Sequence, residues 1–163
     1  MTSTNRNQRL IWLAIPLITG LIVPSLVIFY LEVFVGHISP FTALVDILER
    51  QFSEGNNLFL LAIFGLIPFI ALSVACAIAA SRLTPVRLMC FGIGGLTGIL
   101  ALMVPAHYSV WLPLYGPDHM PSTAVVAFIF IPLYCLVTLA IGLFSGWLVS
   151  LLPIFRNNKQ SNA

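Results

Sequence analysis

The chain has 163 residues, of which 60% are apolar and only 7% charged, against about a quarter charged in an average soluble domain. That composition excludes a soluble globular protein and leaves almost no chain for a domain in water. A formal charge of +2, from basic residues dispersed along the chain, gives no basic patch, so nucleic acid is excluded as a partner and the lipid bilayer takes its place.

Crossing about 30 Å of hydrocarbon takes about 20 apolar residues in a helix. Four runs approach or exceed that length: Leu10 to Val35, Leu58 to Ala80, Leu88 to Pro105 and Thr123 to Leu152. The first follows a basic leader, which raises the alternative of a cleaved signal peptide. Its 26 residues, interrupted by Pro16 and Pro24, exceed a signal core of roughly 7 to 15 residues, so a retained anchor helix is expected. The third run is the shortest, about 27 Å at 1.5 Å per residue, and barely spans; the fourth reaches about 45 Å and must tilt, kink or protrude.

After the first run, Ser39-Pro40 pairs an N-cap residue with the proline favoured at the first helical position. Phe41, Leu44, Val45, Leu48 and Phe52 then recur at helical spacing, with Asp46, Glu49, Arg50 and Glu54 between them. A short amphipathic helix over about 40–54, lying on the outer membrane surface, is predicted, with docking of a partner as its functional alternative.

The second and fourth runs share a faint pattern, Phe64-x-x-Ile67-Pro68-x-x-x-Leu72 beside Phe128-x-x-Ile131-Pro132-x-x-x-Leu136. A true repeat would make two helix–loop–helix halves, as in some transporters. Between the third and fourth runs, Ala106 to Ser122 holds Tyr108, Trp111 and Tyr115 among Pro113, Pro117 and Pro121. Aromatic residues at this depth anchor the headgroup boundary, and prolines at this density predict an irregular loop.

Orientation follows from the basic residues. Arg6 and Arg9, Arg82 and Arg87, and Arg156 and Lys159 fall on one side of the four runs, with Arg50 alone on the other. The excess marks the cytoplasmic side. Both termini are therefore expected inside, and Glu32, Asp46, Glu49, Glu54, Asp118 and all three histidines outside. The short tails suit a bacterial inner membrane.

Gly94 and Gly98 stand four apart, and Gly142 and Gly146 repeat the spacing. Such faces let helices approach closely in lipid; the sequence leaves open whether the contact lies within the chain, in a homo-oligomer or with other membrane helices. Pro68 and Pro132, breaking hydrogen bonds inside spans, mark a possible transport path, with Glu32 the nearest ionisable group. An interfacial carboxylate meeting water or Arg50 is the competing reading of Glu32. His37, His107, Asp118 and His119 offer nitrogen and carboxylate ligands suited to zinc or, with Met120, copper at the outer face, though their spacing fits no recognised ligand motif. Ordinary interfacial polar residues are the alternative.

Enzyme arrangements fail on inspection. Ser145 lies far from every histidine, and Cys76, Cys90 and Cys135 form no C-x-x-C pair and sit in apolar runs. The expected protein is therefore a non-catalytic multi-pass membrane protein, an accessory, assembly or interaction subunit. A small transporter or channel working as an oligomer is the alternative, and an outer-face metal-binding protein the third.

Overall fold

A computed structural model describes residues 3–52, 57–115 and 124–152. The described residues are helical apart from short connections and contain no strand. Helix α1 covers Ser3–Tyr30 and runs into a π-helical turn, Leu31–Val35. Helix α2 covers Pro40–Phe52, α3 Asn57–Ala79, α4 Pro85–Tyr115 and α5 Ala124–Val149. Three stretches, Leu10–Val35, Pro85–Tyr115 and Val126–Val149, are long and apolar enough to cross a membrane.

The helix starts are set by local chemistry. Ser39 Oγ accepts the Thr42 N–H at 3.2 Å, which satisfies one of the free donors in the first turn of α2. At α4 the proline is again at the first helical position, and Leu88 N–H donates to the Thr84 carbonyl at 2.9 Å as the first backbone bond of the helix. The helix thus starts three residues before the apolar run expected from Leu88.

The greater difference lies at the other end of α4. The expected irregular loop from Ala106 is helical as far as Tyr115, with Pro105 and Pro113 inside the helix. At 31 residues α4 reaches about 46 Å, well beyond the span expected to end at Pro105. The reason is tertiary. Gly95, Ile99, Met103 and His107 form a buried row spaced by four, and Trp111 and Tyr115 extend it onto partners of other helices. Those contacts offset the backbone hydrogen bonds that the prolines remove. Residues 116–123, with Pro117, Asp118, His119, Met120 and Pro121, lie outside the described part.

The helices pack as a bundle in which α4 and α5 form the most extensive pair, α1 lies on α3, and α3 also meets α5 and α4. On α3 the buried positions Phe69, Leu72 and Cys76, continued by Ala80 just past its end, recur every three to four residues, while Ile70, Val74 and Ile78 are exposed. On α5, Phe128, Ile131, Cys135 and Leu139 are buried, and Val126, Ile129, Leu133, Val137 and Ile141 are exposed. Helices apolar on every face bury one side on their neighbours and leave the other for hydrocarbon. The proposed repeat fares poorly in this packing, because Phe64 is 45% exposed whereas its counterpart Phe128 is 7% exposed.

Candidate functional site

The four glycines singled out by spacing face one another inside the chain. A Cβ on Gly94 would lie 2.4 Å from the Gly142 carbonyl oxygen, and one on Gly98 2.3 Å from that of Thr138. From the other side, a Cβ on Gly142 would meet the Gly94 carbonyl, and one on Gly146 the Cys90 carbonyl, each at 2.3 Å. Backbone therefore touches backbone along the α4–α5 contact, the close approach that favours helix association in lipid. A contact within one chain, left open by the sequence, uses this face.

A second notch lies on the same helix. Trp12 of α1 fills the space above Gly92, where a Cβ would stand 2.3 Å from the indole ring. Nearby, Ser73 Oγ donates to the Leu13 carbonyl at 3.2 Å, in the helical turn before Pro16. Pro16, Pro24, Pro68 and Pro132 are all buried against neighbouring helices. Pro68 stands beside Phe69 and Leu72, and Pro132 between the buried Ile131 and Cys135. Two grooves are open to the surface, one of about 500 Å³ between α1 and α4 and one of about 350 Å³ between α1 and α2, and neither proline lines them.

The polar chemistry gathers where α1 and α4 end together. Glu32 is not the water-facing carboxylate expected from its place near the end of an apolar run: it is 1% exposed. Tyr115, the last residue of α4, donates its hydroxyl to Glu32 Oε1 at 2.9 Å. The side chain of Arg50, the expected partner, lies outside the described part. Glu32 sits in the π-helical turn, whose wider loop is closed by Gly36 N–H donating to the Leu31 carbonyl at 2.9 Å. Gly36 makes room for the pairing, since a Cβ there would meet the Glu32 carbonyl at 2.9 Å and the Tyr115 ring at 3.2 Å.

His37 ends the helix. Its backbone takes φ 54°, the left-handed conformation that histidine adopts more readily than most side chains, and Ile38 N–H closes back on the Glu32 carbonyl at 3.0 Å. His107 is buried on α4, with Nδ1 donating to the Met103 carbonyl at 3.0 Å and the ring edge-on to Phe128 at 6.0 Å. Trp111 shares Phe128 at 5.2 Å, and among the described residues its Nε1 has no hydrogen-bond acceptor.

Of the four residues proposed as zinc or copper ligands, His37 is exposed and serves the chain reversal, while His107 is held inside the bundle. Asp118 and His119 lie outside the described residues. Among the described residues no three His, Cys, Asp or Glu side chains are grouped to hold a metal ion.

Sequence reasoning singled out Glu32 but missed its burial, its partner, the π-turn and the roles of Gly36 and Tyr115. A single carboxylate in an apolar run is a visible signal; a hydroxyl 83 residues away is not. In comparisons with known proteins, no family model, no curated relative and no solved structure matches the chain.

Proposed function

We propose that the chain is a non-catalytic multi-pass membrane protein that crosses a bacterial inner membrane four times with both termini in the cytoplasm. It serves there as an accessory, assembly or interaction subunit. The fourth span is α3, whose 23 residues contain no charged side chain and reach about 34 Å. One observation carries the interaction reading. On α2, Ala43 and Ile47 are buried against the bundle while Phe41, Leu44 and Leu48 are exposed, Phe41 to 77%. Leu44 and Leu48 line a groove together with Leu21, Ile22, Leu26 and Phe29 of α1. The amphipathic helix thus offers an apolar ledge beside a spanning helix, at the level where another membrane protein can pack.

The test is purification of the tagged chain from its native membrane in mild detergent, alongside a Phe41→Ser/Leu48→Ser variant. A stoichiometric partner that accompanies the native chain and is lost from a folded variant is expected. A homo-oligomer with no other protein would overturn this reading.

The buried carboxylate supports a second reading, a small transporter or channel working as an oligomer. Ionisable groups inside spans commonly mark ion or substrate paths, and Glu32 lies in a distorted turn of an apolar helix. Solute flux in proteoliposomes that is lost in Glu32→Gln is the expected result; equal flux in both would remove Glu32 from any path.

A further inference from the structure

Three uncommon features fall between Leu31 and His37: a π-helical turn, a carboxylate withdrawn from solvent, and a histidine in the left-handed backbone region. Each is disfavoured alone, and such features persist together only where surrounding structure specifies them. Here that structure comes from the far end of another helix. Tyr115 donates to Glu32 at 2.9 Å, and its ring fills the space left by the missing Cβ of Gly36.

A π-turn holds one residue more than the α-turn it replaces. If the segment passes to α-helical hydrogen bonding, every residue beyond it turns by about 100° and moves by about 1.5 Å along the axis. What lies beyond is the chain reversal at His37 and then α2.

We propose that Leu31–Val35 is a register latch, a two-state turn held in its π form by the Tyr115–Glu32 hydrogen bond and released to an α form when that bond opens. In the latched state, the end of α4 fixes the rotational setting of the segment leading into α2. In the released state, Glu32 leaves Tyr115, the Ile38-to-Glu32 backbone closure is lost, and α2 takes a setting one residue removed. The latch couples the end of α4 to the position of α2, whichever partner or solute the protein serves.

Amide hydrogen exchange on the full-length protein in lipid nanodiscs tests this. Tyr115→Phe keeps the ring and removes the donor. Amides from Leu31 to Ile38 and in α2 should then exchange about tenfold faster or more, the scale expected when a buried acceptor loses a donor, while those of the α4–α5 contact stay unchanged. Gly36→Ala, which drives a methyl group against the Glu32 carbonyl and the Tyr115 ring, should reproduce the pattern. Unchanged exchange at Leu31–Ile38 in both variants, or an equal rise in every helix, would overturn the proposal.

Deleting Val33 separates a latch from a merely structural bond. Removal of the extra residue lets the turn close as an α-helix with the downstream register kept, so adding Tyr115→Phe should no longer accelerate exchange at Gly36–Ile38. The same acceleration with and without Val33 would refute the two-state turn.

Discussion

Adding a methyl group to the α4–α5 contact is a direct test of how the bundle is held. At Gly98 the new Cβ would lie 2.3 Å from the Thr138 carbonyl oxygen, against 3.4 Å for the near edge of ordinary contact. The obstacle is backbone, so no rotamer change relieves it, and the helices must part by the difference, about 1 Å, which forfeits a quarter to a half of each neighbouring dispersion contact. Overpacking of this kind costs about 1–3 kcal/mol, offset by about 1 kcal/mol from the better helix propensity of alanine. Gly98→Ala should therefore destabilise the protein by up to about 2 kcal/mol net. Gly142→Ala, at 2.3 Å from the Gly94 carbonyl, should act alike, and the double variant should cost less than the sum because the helices have already separated. Gly65→Ala is the control: among the described residues no atom beyond its chain neighbours and its own helix backbone lies within 4 Å of its Cβ position, so propensity alone predicts a neutral change or a gain of up to about 1 kcal/mol. Reversible unfolding in detergent, followed by circular dichroism, measures all four. Gly98→Ala no more damaging than Gly65→Ala would refute the backbone contact.

Further outcomes follow from single contacts. Gly92→Ala should be destabilising because of the Trp12 ring 2.3 Å away, and Trp12→Leu should relieve it, with a coupling of about 1–2 kcal/mol in a double-mutant cycle; additive effects would contradict the packing. Ser39→Ala removes the cap on Thr42 and should weaken α2 by about 1 kcal/mol, seen as faster amide exchange confined to that helix. With the native cysteines replaced, an impermeant maleimide on spheroplasts should label Glu49→Cys and spare Arg82→Cys, both exposed positions. The reverse labelling would overturn the orientation read from the basic residues.

What could be read in advance was local. Ser39-Pro40 announces a helix start because a cap is made by residues three apart. Glycines four apart announce a small-residue face, but the residues they touch belong to another helix. The prolines misled for a related reason. Pro105 and Pro113 weaken a helix by a local rule, whereas the forces that carry α4 through them come from Phe128 and Glu32, far away in sequence. Glu32 is the same case. Its place near the end of an apolar run suggests water, yet α4 extends far enough for Tyr115 to cover it, and that extension was itself outside the reach of the pattern.

The two halves of the bundle are consequently held by different means. In lipid there is little hydrophobic force between helices, so association depends on how closely surfaces approach. Along α4–α5 the approach is backbone to backbone at four glycines, which admits one register and no side-chain adjustment. Helix α1 is joined to its neighbours through side chains: Trp12 over Gly92, Ser73 on the Leu13 carbonyl, and Tyr115 on Glu32. Side-chain contacts have alternative rotamers and can be exchanged one at a time, whereas the glycine contact must open as a unit. A conformational change in this protein is therefore expected in α1, the π-turn and α2, moving against a fixed α4–α5 pair. Tyr115 extends from that fixed pair to the turn at which α1 gives way to the segment before α2, so a movement of that turn would meet α4 at Glu32.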